Sequence, residues 1–382
     1  MHIAFNGWFW NQPHTGSGQY IRQLLKALRQ LDSTLRITLV LPSHVNKNPE
    51  DIPDGVEVVY GSSGRGGNWG KLRFEQRSYP ALLRQIQPDI AHVPYWAPPL
   101  STKPARLVTS ILDLIPLVWP AYRGGLLAAL YTSLVAASAD GSAHIITLSE
   151  ASKLDIAERL EIDPLRISVT PLAADERYHP KLGRENDEHV RQKYNLPDEF
   201  VLYLGSYDIR KNVNNLLLAW TYAGPSLGEA IPLVLAGRRP TKWEQPLFPD
   251  LDEYSRQLDI ERYLMWLGQV EEHEKPSLYR LAKAFVFPSK YEGFGLPVLE
   301  AMACGTPVIA GTQSSIPEVA GNAAYLVDPD DARTMGAAIL AVMVQDDLRE
   351  HLINAGLGQA TQFSWRKTAQ LTRDIYEQVM LT

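Results

Sequence analysis

Short apolar runs alternate with longer segments in which apolar residues recur every three or four positions along most of the chain. The runs are typical of buried parallel strands and the longer segments of helices, so the pattern predicts repeated strand–helix–strand units. In the first half, strands are expected at residues 2–5, 36–41, 56–60, 89–93, 107–112, 144–148 and 167–170, and helices at 18–30 and 149–160. In the second half, strands are expected at residues 200–205, 232–236, 263–266, 284–288 and 307–310, and helices at 213–222, 276–281, 297–303 and 332–343.

A polar, charged stretch at residues 175–197, with Pro180 and Gly183, has the composition of a linker between the two halves. We therefore expect two doubly wound, Rossmann-like α/β domains at residues 1–180 and 199–362, joined by a linker at 181–198. An amphipathic helix within residues 363–382 is expected to cross back to the first domain. Because open parallel sheets bind ligands beyond the carboxyl ends of their strands, the two domains should face each other across a cleft that holds the site.

The composition and charge of the chain restrict the kinds of partner that it is expected to bind. The chain has 382 residues, a net charge of −6 and no basic run, which argues against binding to a nucleic-acid backbone. Its one cysteine, Cys304, cannot form an internal disulfide, which fits a cytoplasmic protein, and its apolar neighbours indicate a buried structural thiol. The sequence does not indicate an oligomeric state.

The longest uncharged apolar stretch, at residues 124–139, is shorter than the roughly 18–20 residues that span a bilayer. It is interpreted most simply as a buried helix. The alternative is a peripheral contact with a membrane surface, although no basic face accompanies the stretch.

The densest chemistry lies in the segment PSKYEGFGLPVLEAMACGTPVIAG at residues 288–311. A loop with Gly293 and Gly295 precedes a helix that is expected to open at Pro297, and backbone amides at such a helix start can hold a phosphate group. Glu292 and Glu300 flank this loop at a separation that excludes a close carboxylate dyad and suits hydroxyl groups of a sugar and a ribose. The alternative is that both are surface carboxylates near a helix start.

A second group of residues follows the strand at 200–205. Gly205 permits a tight turn, and Arg210 and Lys211 come just before a helix, where cations are unfavourable unless an anion is present. The position of Arg210 and Lys211 therefore indicates a bound diphosphate. A solvated basic pair on a loop is the simpler alternative.

In the first half, Gly16 and Gly18 form a glycine-rich turn that lacks the full dinucleotide pattern. Asp113 follows an apolar strand, where it can either bind an acceptor hydroxyl or cap the following turn. Four tryptophans lie near predicted strand ends and can form either a stacking surface for a sugar or ordinary core packing: Trp8, Trp10, Trp96 and Trp119. The histidines show no metal-ligand spacing, so no metal site is expected.

Together, EGFGLPVLEAMACGTPVIAG, LYRLAKAFVFPS, LGSYDIRKN and LVDPDD resemble the retaining, nucleotide-sugar-dependent glycosyltransferases of group 1, family four. The resemblance covers the second half closely and the first half loosely. It implies the two-domain GT-B architecture, with the donor bound by the second domain, the acceptor by the first, and neither a metal nor a separate cofactor.

The resemblance also implies roles for individual residues. Arg210 and Lys211 match the pair that neutralises the donor diphosphate, Glu292 the glutamate at the donor sugar, and Glu300 the glutamate at the ribose. The remaining matches are the amide loop Gly293, Phe294, Gly295 and Leu296, the nucleobase region Gly237, Arg238 and Val270, and the first-domain loop Gly16 and Gly18. Gly205, at its tight turn, is a further candidate for donor binding. Members often carry His-Asp where this chain has Leu112 and Asp113, so the first-domain catalytic partner departs from the pattern.

The implied function is metal-independent transfer of a hexose from a nucleotide sugar to a saccharide or lipid-linked saccharide, with the anomeric configuration kept. GDP-mannose is the expected donor, and UDP-glucose and UDP-N-acetylglucosamine are the alternatives. A nucleotide-sugar 2-epimerase and a catalytically silent nucleotide-sugar-binding protein are rival functions on the same architecture.

Overall fold

The computed structural model describes residues 1–45, 51–63, 67–122 and 126–381. The chain divides into two compact units. Unit 1 comprises Met1–Leu172 together with Ser364–Thr382, and unit 2 comprises Ala173–Phe363. Each unit contains one parallel sheet with helices, which confirms the predicted doubly wound α/β class.

The strands are short, apolar and mostly buried on both faces, as expected where helices cover a parallel sheet. In unit 1 they are β1 (His2–Asn6), β2 (Arg36–Pro42), β3 (Val56–Gly61), β4 (Ile90–Val93), β5 (Arg106–Ser110), β6 (His144–Thr147) and β7 (Ile167–Val169). In unit 2 they are β8 (Val201–Leu204), β9 (Leu233–Ala236), β10 (Leu264–Gly268), β11 (Ala284–Phe287), β12 (Val308–Gly311) and β13 (Tyr325–Val327).

The α-helices follow the strands in the order that strand–helix–strand units require. The first six are α1 (Gly16–Leu31), α2 (Asn68–Arg73), α3 (Tyr79–Ile86), α4 (Ile115–Val118), α5 (Leu126–Ala139) and α6 (Glu150–Leu160). The others are α7 (Asp187–Lys193), α8 (Val213–Leu227), α9 (Leu251–Gln257), α10 (Lys275–Leu281), α11 (Leu296–Ala303), α12 (Ile316–Ala320), α13 (Ala332–Val344), α14 (Asp346–Ala360) and α15 (Trp365–Leu381).

The sheet of unit 1 has the strand order β3-β2-β1-β4-β5-β6-β7. Phe5 on β1 pairs with Leu39 on β2 and with His92 on β4, and both pairings are parallel. The chain builds outward from β1 to β3 and then returns to the other side of β1 with β4. The direction of strand addition therefore switches between β1 and β4, and this gap is the crevice in which doubly wound sheets bind ligands.

The last helix, α15, is part of unit 1 and is tied to its sheet by a buried polar network. The hydroxyl group of Tyr376 lies 2.5 Å from Nδ1 of His92, and Nε2 of His92 lies 2.7 Å from Oγ of Ser110. Oγ of Ser110 also lies 3.0 Å from the hydroxyl group of Tyr20 on α1. Burial lowers the pKa of His92 to about 3, so its ring is neutral and can both donate and accept.

The sheet of unit 2 has the order β10-β9-β8-β11-β12-β13, with the same switch in direction. Val201 on β8 pairs with Leu233 on β9 and with Ala284 on β11. The switch point of unit 2 therefore lies between β8 and β11. The segments that leave these two strands are the two that carry the densest chemistry in the sequence, around Arg210 and Glu292.

The stretch expected to be a linker, residues 181–198, contains helix α7 and belongs to unit 2. Arg280, whose side chain is 4% exposed, attaches this stretch to the rest of unit 2. Arg280 donates to the backbone carbonyl groups of His179 and Gly183 and pairs with Asp187. The polar composition of the stretch therefore reflects ion pairs and backbone anchoring.

Some other features differ from the sequence pattern or extend it. A helical segment with no counterpart in the predicted elements spans α2, a π-helix at Phe74–Ser78, and α3. The apolar stretch at 124–139 forms helix α5, although Gly124 and Gly125 lie outside the described residues. Within the described ranges, the structure has no helix with the length and apolar character needed to cross a membrane.

Candidate functional site

The two cations predicted to bind an anion lie on one turn at the switch point of unit 2. Arg210 and Lys211 belong to the 3₁₀ turn Ile209–Lys211, which follows β8 and precedes α8. Both residues are only 8% exposed. The solvated basic pair considered as an alternative is therefore excluded.

Glu292 lies against both cations. Its Oε1 atom is 2.5 Å from Nζ of Lys211 and 2.8 Å from Nη1 of Arg210. Ser289, fully buried, donates to the same oxygen atom at 2.6 Å. One oxygen of this carboxylate, Oε1, therefore holds the cluster together, whereas no donor from the described residues contacts Oε2.

The pKa values of both Glu292 and Lys211 are lowered, which favours the charged form of the carboxylate and the neutral form of the amine. Burial raises the pKa of Glu292, but the charges of Lys211 and Arg210 outweigh it, so the pKa lies below the ordinary value and the carboxylate stays ionised. Burial, aided by Arg210 and opposed by Glu292, lowers the pKa of Lys211. Nζ of Lys211 also lies 4.8 Å from the ring centroid of Phe287, a cation–π contact that favours the charged form.

A fourth charged group makes the cluster close to neutral. Asp208, 6% exposed, has Oδ1 at 3.6 Å from Nε of Arg210. Two cations thus face two carboxylates in the structure, and Glu292 is the carboxylate that contacts both cations.

The loop after Glu292 leads directly into α11. Gly295, the residue before this helix, has a φ of 101°, a left-handed conformation that favours glycine, and no side chain caps the helix start. Pro297 lies in the first turn, as the sequence predicted. Phe294 anchors the loop, since its ring is buried and packs edge to face on Phe363 with centroids 5.8 Å apart.

The backbone carbonyl group of Glu292 is fixed by two hydroxyl groups. Oγ of Ser314 donates to it at 2.7 Å and Oγ of Ser315 at 2.9 Å. These contacts hold the position at which the chain turns from the strand exit into the amide loop. The helix dipole and the uncapped amides of α11 make this end of the loop attractive to an anion.

Glu300 occupies a separate environment on α11. Its carboxylate is 6% exposed and accepts a hydrogen bond from the hydroxyl group of Tyr279 at 3.2 Å. Burial raises its pKa to about 7, and the charge of Lys275 opposes this rise. Glu292 and Glu300 thus have different partners and different ionisation, as expected of two carboxylates with separate tasks.

Gly205 and Gly237, two of the residues expected to bind the donor, lie at adjoining strand ends. Gly237 follows β9 with a φ of 154°, and a Cβ atom there would lie 1.9 Å from the carbonyl oxygen of Gly205. Val270 is buried and Arg238 is exposed. The cation that packs on an aromatic ring in this region is Arg239, whose guanidinium lies 4.4 Å from the ring centroid of Trp266.

The candidate residues of the first domain have local structural roles. Oγ1 of Thr15 accepts a hydrogen bond from the backbone amide of Gly18 at 3.1 Å, so one amide of the first turn of α1 is already capped. A Cβ atom on Gly18 would lie 2.0 Å from the carbonyl oxygen of Gln12, whereas Gly16 has open space around it. Oδ1 of Asp113 accepts from the amide of Ile115 at 3.1 Å, which is the turn-capping role considered for it.

Burial distinguishes between the roles considered for the tryptophans and for Cys304. Trp8 and Trp10 are buried, so ordinary packing accounts for them, whereas Trp96 and Trp119 are half-buried. Cys304 is buried, and burial raises the pKa of its thiol to about 12, in keeping with the structural thiol that was predicted. Among the residues that the structure describes, no group of three or more His, Cys, Asp or Glu side chains could hold a metal ion.

Several residues of the site were missed by sequence reasoning. Ser289, Asp208 and Phe287 each contact the cation–carboxylate cluster, and Arg239 rather than Arg238 is ordered against aromatic rings. Ser289 stands three residues before Glu292, and its serine hydroxyl next to a predicted phosphate loop is the one signal that could have singled it out.

Known families match both halves of the chain. Residues 185–359 match the family described as Glycosyl transferases group 1. Residues 14–178 match the family described as Glycosyltransferase Family 4. The two matches lie on either side of the boundary between unit 1 and unit 2, apart from a few residues at that boundary.

Individual proteins agree with these matches. The chain is 32% identical over 381 residues to O-antigen chain mannosyltransferase B of Escherichia coli, with 96% of each chain covered. Its fold is similar to that of sucrose-phosphate synthase from Thermosynechococcus elongatus, with a TM-score of 0.75, 19% identity and coverage of 100% and 99%. It is also similar to Anabaena HepE in complex with UDP-glucose, with a TM-score of 0.71, 16% identity and coverage of 99% and 100%. The chain therefore has the GT-B fold and belongs to the group 1, family-four glycosyltransferases.

Proposed function

We propose that this glycosyltransferase is a retaining hexosyltransferase that moves mannose from GDP-mannose to a saccharide or lipid-linked saccharide. The observation that carries the proposal is the convergence of Arg210, Lys211 and Glu292 beside the uncapped start of α11. Mannose as the sugar is supported by the similarity to O-antigen chain mannosyltransferase B. A nucleotide sugar as the donor is supported by HepE, a neighbour of known structure that binds UDP-glucose.

We assign the donor to residues 199–362 and the acceptor to residues 1–180, with residues 363–382 completing the acceptor domain. Arg210 and Lys211 would neutralise the diphosphate, and the amides around Gly293 and Gly295 would hold its distal phosphate. Glu300 would accept hydrogen bonds from the ribose hydroxyl groups. Gly237, Arg238 and Val270 would border the nucleobase, and Gly205 would form the tight turn before the diphosphate site.

The neutral state of the cluster suggests how the donor binds. When the diphosphate reaches Arg210 and Lys211, it would displace Oε1 of Glu292, whose other oxygen has no donor from the described residues. The released carboxylate would then accept hydroxyl groups of the donor sugar. Exchange of one anion for another avoids leaving either cation buried without a partner, a state that costs several kcal/mol.

The chemical step follows from charge development. As the bond between the sugar and the diphosphate breaks, the sugar gains positive charge and the diphosphate gains negative charge, which the two buried cations stabilise. The acceptor hydroxyl attacks the same face that the diphosphate leaves, and a phosphate oxygen takes its proton, so the anomeric configuration is retained. Because side-chain cations neutralise the leaving group, transfer should not require a divalent metal.

The test is a transfer assay with purified protein, a saccharide acceptor panel and three donors: GDP-mannose, UDP-glucose and UDP-N-acetylglucosamine. We expect acceptor-dependent release of GDP, a product with the anomeric configuration of the donor sugar by NMR, and no loss of rate in EDTA. Acceptor-independent epimerisation of a nucleotide sugar would instead identify the epimerase. Inversion, a metal requirement, or the absence of transfer from GDP-mannose would each contradict the corresponding part of the proposal.

A further inference from the structure

One face of the helical segment formed by α2, the π-helix and α3 in unit 1 is exposed. It presents Trp69, Arg73, Arg77 and Arg84, at successive intervals of four, four and seven residues. Residues at such intervals lie on the same side of a helix. We refer to these four residues as the arginine stripe, which is about 22 Å long at a rise of about 1.5 Å per residue.

The opposite face of the segment is packed into unit 1. Phe74 is fully buried and its ring lies 5.5 Å from that of Trp8, measured between centroids. The hydroxyl group of Tyr79 donates to the backbone carbonyl group of Ala4 on β1 at 2.8 Å. The sheet therefore holds the segment in one orientation, with the arginine stripe directed away from the core.

The arginine stripe is a local concentration of positive charge that no described residue neutralises. Its three arginines form no ion pair or hydrogen bond through their side chains within the described part of the chain. Glu75 is the one acidic residue between positions 67 and 87, and it is buried, with Oε1 at 3.7 Å from Nζ of Lys71. The stripe is thus basic although the whole chain has a net charge of −6.

Two large apolar side chains accompany these cations at the surface. Trp69, the first member of the stripe, is 76% exposed, and Leu100 is 66% exposed. The backbone amide of Leu100 donates to Oε1 of Gln76 at 3.1 Å, so Leu100 lies beside the stripe next to Arg77. Exposed apolar groups rimmed by cations are typical of a surface that another body covers.

We propose that the arginine stripe and Leu100 dock the chain on an anionic lipid surface. Guanidinium groups bind phosphate oxygens in bidentate fashion, and arginine side chains keep their charge at the level of the lipid headgroups while their stems contact apolar surface. Tryptophan favours the same interfacial depth, and leucine enters the acyl boundary below it. The net negative charge of the chain opposes other orientations on such a surface.

The charge of the stripe distinguishes this surface from the apolar helix α5 in the same unit. Helix α5 (Leu126–Ala139) has no charged residue, and Leu130 on it is 59% exposed. A contact through α5 would depend on apolar burial alone and would not require anionic lipids. A contact through the arginine stripe requires them, and added salt should weaken it because the arginines are exposed. A soluble polyanion would use the arginines and leave Trp69 and Leu100 in water.

The test is co-sedimentation of the full chain with vesicles of phosphatidylcholine, with and without phosphatidylglycerol. We expect binding to the anionic vesicles and little binding to the neutral ones. The triple variant R73Q/R77Q/R84Q removes the charge of the stripe. At about fivefold for each basic residue near an anionic surface, it should weaken binding to the anionic vesicles by about a hundredfold.

Further variants separate the stripe from general charge and from α5. Trp69→Ala should weaken binding about tenfold, because it removes the largest apolar group of the stripe. K26Q/R36Q/R159Q removes the same charge at exposed positions elsewhere in unit 1 and should stay within about threefold of the wild type. Leu130→Glu should also have little effect. Circular dichroism and GDP affinity, which should be unchanged in every variant, report on folding.

Each outcome decides the inference. Binding to anionic vesicles that is lost in R73Q/R77Q/R84Q and weakened in Trp69→Ala, but kept in K26Q/R36Q/R159Q, supports it. Equal binding to neutral and anionic vesicles, loss of binding in Leu130→Glu alone, or no vesicle binding overturns it. Binding of heparin, a soluble polyanion, without vesicle binding also overturns it. The assay contains no nucleotide sugar, so failure of the proposed function would leave this result unchanged.

Discussion

The switch points of the two units have the same place in their sheets but different chemistry. In unit 2, Arg210 and Lys211 face Glu292 at a helix start that no side chain caps. In unit 1, one cation, Lys71, lies between the rings of Phe9 and Tyr95, and the nearby helix α1 is capped by Thr15. Two cations at an uncapped helix start suit an anion, whereas the single cation in unit 1 is paired with Glu75 beside a capped helix. The doubly wound sheet thus supplies the crevice, and the loops that follow its strands decide what fits.

The largest effect is expected for Lys211→Ala in unit 2. It removes one of the two cations that neutralise the leaving diphosphate, and loss of one such group typically lowers kcat by about 10²–10³-fold. The measurement is GDP release during transfer from GDP-mannose. Lys26→Ala, at an exposed lysine of unit 1, is the control and should have little effect. Turnover that persists in Lys211→Ala would show that the unit 2 cluster does not serve the leaving group.

Glu292→Gln should separate binding from transfer. The substitution removes the carboxylate that competes with the diphosphate for Arg210 and Lys211, so GDP should bind at least as tightly as to the wild type. Transfer should fall by about 10²-fold, because the released carboxylate no longer contacts the donor sugar. Calorimetry with GDP and the transfer assay measure the two quantities. Weaker GDP binding would contradict the anion exchange proposed here.

Gly237→Ala tests a close approach of two backbones in unit 2. The added Cβ would meet the carbonyl oxygen of Gly205, and the positive φ adds strain of about 1–3 kcal/mol, so the free energy of unfolding should fall by at least that amount. Gly16→Ala in unit 1 is the matched control, because the described structure leaves open space there. Denaturant unfolding monitored by circular dichroism measures both. Equal stability of the two variants would contradict the tight contact at the end of β9.

The smallest effect is a pH dependence at Glu300. Because its pKa is raised to about 7, the carboxylate loses its proton as the pH rises from 6 to 8, and only the ionised form accepts hydrogen bonds fully from ribose hydroxyl groups. Affinity of the wild type for GDP should therefore rise over this range by up to about tenfold more than that of Glu300→Gln. Titration calorimetry at each pH gives the comparison. Parallel pH profiles would indicate that Glu300 does not contact the ribose.

The same raised pKa has a consequence for stability with a defined sign. A carboxyl group whose pKa in the folded state exceeds its ordinary value of 4.5 stabilises the fold most at low pH, and this contribution is lost as the pH rises through about 7. Glu300→Gln removes the titrating group and therefore this loss of stability. Its melting temperature should therefore fall less than that of the wild type between pH 6 and pH 8.

Much of the fold could be predicted from local patterns, because parallel strands and their helices carry strong periodic signals. Strand β1 begins at His2, as expected, and Ser149 caps α6 through its hydroxyl group, as its position before that helix indicated. The segment that contains the π-helix was not predicted, because the π-turn at Phe74–Ser78 interrupts the helical period, and only within α3 do Tyr79, Leu82, Leu83 and Ile86 follow it. Residues 181–198 have the charged composition of a linker, and their place in unit 2 could not be predicted because partners such as Arg280 are distant in sequence.

The candidate site was predictable where chemistry is local and not where it depends on tertiary contacts. The glycines before α11 and the cations after β8 stand out in the sequence itself. The neutral state of the cluster was predictable only in part. Asp208 stands two residues before Arg210 in the sequence, but Glu292 meets Arg210 only after β8 and β11 pair in the sheet. For the same reason, the ion pair of Lys71 and Glu75 could be seen in the sequence as an i,i+4 pair, but its place between two rings could not.

The hydrogen bond between His92 and Tyr376 joins residues that are 284 positions apart. During synthesis, the sheet of unit 1 leaves the ribosome before unit 2, whereas helix α15 emerges after it. Until then, Nδ1 of His92 lacks its partner Tyr376, so the unit whose translation begins first is completed only after all of unit 2 has been made.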